Sequence, residues 1–105
     1  MQYNFNMLTN KEIIKIIQDN TGAIKTYGVK RIGIFGSFVR SRQNNKSDID
    51  VLVEFDAGKK AFDNYMELKF YLENLFHRKV DLVIKDALKP RIKQYILKEA
   101  AYARL

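Results

Sequence analysis

Asp48 and Asp50 stand one residue apart at the head of an apolar run, Asp48-Ile49-Asp50-Val51-Leu52-Val53-Glu54-Phe55. On a strand, successive side chains alternate faces, so the two carboxylates point the same way. Their Cα atoms lie about 6–7 Å apart. That spacing lets both carboxylates converge on a pair of cations about 3.5–4 Å apart. All-oxygen ligands suit hard divalent ions such as magnesium or manganese. Asp81, near the start of another apolar run, Lys79-Val80-Asp81-Leu82-Val83-Ile84, is the natural third carboxylate. Taken alone, an Asp-x-Asp at a strand start is also ordinary turn and edge chemistry, with Asp50 facing solvent.

The residues just upstream shift that balance. Arg31-Ile32-Gly33-Ile34-Phe35 runs into Gly36-Ser37 and then a polar loop. Gly36 lets backbone approach a ligand closely. Ser37 offers a hydroxyl and can cap a short helix through about Ser41, and free N–H groups at a helix start favour phosphate. Arg40 can reach a phosphate oxygen, with Arg42 or Lys46 as further candidates. As a bare dipeptide, Gly36-Ser37 is an ordinary strand-to-helix turn. Joined to the carboxylates, it describes a site for a divalent metal and a nucleotide.

Other chemistries are absent from the sequence. No Gly-Lys-Ser/Thr marks a P-loop. Val51-Leu52 follows Asp50 where an EF-hand loop needs another oxygen ligand. One histidine, His77, and no cysteine leave no usual zinc set and no Ser-His or Cys-His nucleophile pair. His77 closes a helix and reads as a solvated cap. Phosphoryl and nucleotidyl transfer need positioning and charge neutralisation more than a protein nucleophile.

The elements that must hold these residues are legible from pattern. Thr9-Asn10-Lys11-Glu12 reads as a capping box. The following helix carries Ile13, Ile16, Ile17 and Ile24 on one stripe and is expected to end at Tyr27, with Gly28 as its stop. Strands are expected at about 30–35, 48–55 and 79–84. Ala57-Gly58-Lys59-Lys60 is a loop. A helix over about 62–76 presents Tyr65, Leu68, Leu72, Leu75 and Phe76. Pro90 suits the first turn of a last helix. That helix is expected to carry Ile92, Tyr95, Ile96, Ala100 and Ala103 on one face and Leu97, Ala101 and Leu105 on a narrower stripe. The fold class is α/β (α+β), a small mixed sheet of three or more strands flanked by helices, with strand order open.

The chain's 105 residues fit one domain spanning 1–105, and 47% hydrophobic content supports a core. No apolar stretch is long enough for a membrane span, and no secretory leader is visible. With no cysteine, the chain is compatible with a cytoplasmic location. The formal charge of +7 suits an anionic partner: nucleotide, nucleic acid or an acidic protein surface. It is also what a lysine-rich proteome gives. The aromatics, six Tyr and seven Phe, sit mostly at core spacings. They form no basic stacking stripe, so stable nucleic-acid binding is not expected.

Gly36-Ser37-x-x-Arg40 followed by Ser47-Asp48-Ile49-Asp50-Val51-Leu52-Val53 resembles the signature of the DNA polymerase beta-like nucleotidyltransferase superfamily. More narrowly, the chain resembles minimal nucleotidyltransferases, the antitoxin partners of HEPN-domain ribonuclease toxins. The resemblance runs from about Tyr27 to Ala103 and includes Val80-Asp81-Leu82-Val83 and a closing helix, 88–97. It implies that Asp48 and Asp50 bind two magnesium ions. Asp81 would complete that site or activate the attacking hydroxyl. Gly36 and Ser37, with Arg40 and Ser47, would hold ATP. The implied reaction moves AMP to a tyrosine hydroxyl of a toxin bound as a hetero-oligomer. Ser41 departs from the family, which usually has glycine there; a left-handed φ at that position would carry a steric cost. Relatives that act on nucleic acid carry extra domains to grip it, so here the acceptor is expected to come with a partner. Two further readings stand beside this one. The first is neutralisation by stoichiometric contact through Leu97, Ala101 and Leu105 with Tyr102 beside them. The second is AMP transfer to a small molecule or RNA.

Overall fold

The computed structural model describes residues 8–36, 48–58 and 62–105. Within these, α1 (Asn10–Asp19) and α2 (Thr21–Lys25) lead into β1 (Val29–Phe35) and β2 (Ile49–Phe55). There follow α3 (Phe62–Phe76), β3 (Val80–Ile84), a short 3₁₀ turn (Lys85–Ala87), α4 (Pro90–Glu99) and β4 (Ala101–Ala103). The strands form a sheet in the order β3-β2-β1-β4. β1 pairs antiparallel with β2 and β4, and β2 pairs parallel with β3.

Period-two alternation decides what the sheet buries. Ile32 and Ile34 of β1, Ile49, Val51 and Val53 of β2, and Val80 and Leu82 of β3 enter one apolar cluster. Ile13, Ile16, Ile17, Ile24, Leu68, Leu72 and Phe76 join them from α1, α2 and α3. These helices therefore cover one face, and the alternate residues Asp50, Leu52 and Glu54 belong to the other. On that second face Leu52 is only 1% exposed. Toward the far end of β2 from Asp50, Glu54 pairs with Arg31 at 3.7 Å and Lys85 at 3.3 Å.

The N-terminal cap forms as the pattern predicts. The Thr9 Oγ1 accepts the Glu12 N–H at 3.2 Å, satisfying one of the orphan donors of the first turn. The helix does not continue to Tyr27. It breaks at Asn20, whose backbone (φ −120°, ψ 26°) leaves the helical region. The Asn20 amide instead donates to the Ile16 carbonyl at 2.7 Å, a local bond that competes with helix continuation. The turn still ends on Gly28, with φ +81°. His77, exposed after α3, adopts φ +56° and reverses the chain into β3.

The C-terminal expectation is corrected. Helix α4 stops at Glu99, and Ala100 is extended (φ −62°, ψ 135°). Residues 101–103 become β4, with Ala103 opposite Ile32, Tyr102 opposite Gly33 and Ala101 opposite Ile34. Pairing satisfies an edge of β1 that would otherwise stay open. The proposed face of Ile92, Tyr95, Ile96, Ala100 and Ala103 therefore does not exist as one stripe. Ile92 and Tyr95 are 50% and 68% exposed, whereas Ala103 is buried in the core. The proposed contact stripe of Leu97, Ala101 and Leu105 also dissolves, because Ala101 and Leu105 pack against the core.

Candidate active site

The carboxylates are placed by strand register. Asp50 on β2 stands opposite Asp81 on β3 in the parallel pair, and opposite Phe35 on β1. Neighbouring strands lie about 4.8 Å apart, so Asp50 and Asp81 emerge side by side on the face away from the apolar cluster. Asp48 precedes β2 by one residue and is exposed. Two bonds pin this end of the sheet. The Ile49 N–H donates to the Lys79 carbonyl at 3.0 Å. The Val80 N–H donates to Glu73 Oε2 at 2.9 Å, tying α3 to the residue before Asp81.

Gly36 ends β1 against Asp50. Its φ of +76° lies in the left-handed region, which favours glycine. A side chain there would begin on top of Asp50 Oδ2. Both the conformation and the space therefore require glycine. The Gly36 N–H donates to Glu99 Oε1 at 2.5 Å, a bond between residues 63 apart in sequence. Sequence reasoning missed Glu99. One signal was available: a carboxylate in the last turn of a helix opposes the macrodipole and asks for a partner elsewhere.

The structure thus gathers Gly36, Asp50 and Asp81, with Asp48 at the same end of the sheet. The other expected nucleotide contacts, Ser37, Arg40 and Ser47, lie outside the described residues, as do Ser41, Arg42 and Lys46. Among the described residues, no three acidic, His or Cys side chains are grouped closely enough to hold a metal ion. Asp50 and Asp81 carry the hard oxygen donors that magnesium takes. That ion keeps much of its hydration and is bound through one or two carboxylates plus substrate phosphates, not by a protein cage.

The decisive observation is the match of nearly the whole chain to a family. A model described as Nucleotidyltransferase domain matches residues 10–103. The chain belongs to the nucleotidyltransferase family. A Thermococcus cleftensis relative named protein adenylyltransferase MntA is 39% identical over 97 residues, covering 91% of this chain and 97% of that protein. A Methanocaldococcus jannaschii relative, whose name provisionally assigns the same activity, is 45% identical over 98 residues, covering 91% of this chain and 99% of that protein. Among solved structures, one provisionally described as a minimal nucleotidyltransferase is similar with a TM-score of 0.77 at 29% identity. That likeness covers 90% of this chain and 95% of that one. A toxin–antitoxin crystal structure with AMP-PNP is similar with a TM-score of 0.65 at 26% identity, covering 90% of this chain and 72% of that one. The mixed sheet with flanking helices is thus a minimal nucleotidyltransferase fold. Among the described residues, no helix is long and apolar enough to cross a membrane.

Proposed function

We propose that this chain is an antitoxin that transfers AMP from ATP to a tyrosine hydroxyl of a cognate HEPN-domain toxin. The single observation that carries the chemistry is the side-by-side register of Asp50 and Asp81, with Gly36 closed against Asp50. The acceptor and the ATP reading draw support from the MntA relative's name and from the toxin–antitoxin structure with AMP-PNP.

In this reading Gly36, Ser37, Arg40 and Ser47 orient the triphosphate. Asp48 and Asp50 would bind two magnesium ions together with the triphosphate oxygens, with Asp81 completing that site or activating the attacking hydroxyl, and the ions when bound would neutralise charge on the phosphates. The tyrosine oxygen attacks the α-phosphorus, a new P–O bond forms, and the bond to pyrophosphate breaks. In the second of these roles Asp81 would take the phenolic proton. In the same reading the reaction is cytoplasmic, with the two proteins as a hetero-oligomer.

Intact mass of the partner after incubation with the chain, magnesium and ATP tests the proposal. The expected result is a gain of one or more AMP units that vanishes for Asp48→Asn/Asp50→Asn. An unmodified partner, under conditions where the chain binds ATP, overturns it.

One observation favours neutralisation by contact as a second contribution. Ile92 and Tyr95 are half or more exposed on α4, and exposed apolar side chains grouped on one element suit a protein interface. If contact alone suffices, the double Asn variant protects cells from the toxin as well as wild type does.

A further inference from the structure

Gly36 is held from two sides by carboxylates on different elements. Asp50 Oδ2 occupies the space where a side chain would begin. Glu99 Oε1, from the last residue of α4, accepts the Gly36 N–H at 2.5 Å. Glu99 sits where a negative charge is disfavoured, at a helix C-terminus. A carboxylate accepting a backbone N–H forms one of the stronger hydrogen bonds, being charge-assisted. That bond fixes the peptide plane between Phe35 and Gly36. It therefore fixes the end of β1 beside Asp50. The next residue after Glu99 is already extended, and β4 then locks onto β1. The end of α4 is thus anchored to the same strand it constrains.

We propose that Glu99 is a positioning residue of the nucleotide site: its carboxylate holds the Gly36 peptide against Asp50, the two residues this reading sets beside the triphosphate. The role belongs to the acceptor oxygen and to its reach, and not to the charge alone. This inference rests on the functional reading in one respect, that Gly36 and Asp50 belong to a nucleotide site. A rival role follows from the same bond. A carboxylate on a backbone N–H can stand in for a phosphate oxygen, and Glu99 would then compete with nucleotide instead of preparing its site.

Three substitutions separate these roles. Glu99→Gln keeps an acceptor oxygen at the same reach, Glu99→Asp keeps the charge but is one methylene short, and Glu99→Ala removes both. Binding of magnesium AMP-PNP is measured by calorimetry on the full chain. The Gly36 amide resonance is followed by NMR without nucleotide, and thermal unfolding serves as the control on folding. The expected result is affinity within about threefold of wild type for Gln and a loss of tenfold or more for Asp and Ala. The Gly36 amide proton should move upfield and exchange faster in Asp and Ala. Rescue by Gln but not by Asp is a pattern that a general loss of stability does not produce. Equal affinity in all four proteins overturns the positioning role, and tighter binding by the Ala variant overturns it in favour of competition. Wild type that binds no magnesium AMP-PNP, while the Gly36 amide still responds to Glu99, overturns the functional reading and the role with it. In that case the bond itself stands.

Discussion

Asp50 and Asp81 occupy opposed positions in the parallel register of β2 and β3, so two carboxylates leave neighbouring strands side by side. On the reading proposed above, these are the two carboxylates on which transfer depends. Replacing either by Asn keeps the shape and removes the charge. Each single variant is expected to lose about a hundredfold or more in transfer rate, the scale seen when one preorganised charge-stabilising group is removed. Steady-state transfer, measured alongside circular dichroism, checks this. A variant that is folded and retains more than a tenth of wild-type activity removes that aspartate from the catalytic set.

Gly36 is the next position at which geometry speaks plainly. Its φ is +76°, and a Cβ would fall on Asp50 Oδ2. Gly36→Ala must therefore bear left-handed strain of about 1–2 kcal/mol and also push the Asp50 carboxylate aside. Transfer is expected to fall further than stability. Urea unfolding of the variant should show a loss of a few kcal/mol at most, while turnover drops at least as far as in Asp50→Asn. Full activity in Gly36→Ala would mean that the Asp50 side chain is free to move without consequence.

How much of this was legible in the sequence follows from the range of the forces involved. The Thr9 cap, the Ile13/Ile16/Ile17 stripe and the alternation along β2 are local patterns, and each formed as read. The break at Asn20 was missed because the apolar stripe continues to Ile24 across it; the deciding bonds are the Asn20 side chain to Ile16 and to Tyr71 on α3. Residues 100–103 were read as helix because alanines favour one. Pairing with β1 overrode that propensity, and pairing partners distant in sequence leave no local periodic trace. The same holds for the candidate site. Counting residues put Asp48 and Asp50 at one end of a strand, but the register of Asp81 and the reach of Glu99 to Gly36 are set by the whole sheet. Ser37, Arg40 and Ser47 lie outside the described residues.

The docking of β4 gives a stability test that is independent of nucleotide. Gly33 faces Tyr102 across the β1–β4 pair. A Cβ on Gly33 would lie 2.7 Å from the Ala101 carbonyl oxygen and 3.1 Å from the Tyr102 Cα. Both are backbone atoms, so the strands themselves must part. Gly33→Ala is expected to cost about 1–3 kcal/mol, the usual price of overpacking, read as a lower midpoint in urea unfolding. Because only Ala100 separates Glu99 from β4, nucleotide affinity should fall in the same variant. A neutral Gly33→Ala would show that β4 is docked more loosely than its register implies.

Alkaline pH offers a last test, through Tyr71. Its ring lies 5.5 Å from that of Tyr27, and its hydroxyl donates to Asn20 Oδ1 at 3.4 Å. Burial pushes the Tyr71 phenol above its ordinary value, and the neighbouring Tyr27 adds to the shift. The folded state thus holds the proton more tightly than the unfolded chain, whose phenol titrates near pH 10. The linked stability is fully present below about pH 10 and is lost as pH rises from there through the folded value, because the unfolded chain sheds the proton first. Tyr71→Phe lacks this term. The variant should be less stable than wild type at neutral pH, having lost the bond to Asn20, and the gap should narrow above pH 10. Chemical denaturation of both proteins from neutral pH to about pH 11 measures that gap. A difference that stays constant across the range would place the Tyr71 hydroxyl in water, not between α3 and the break at Asn20.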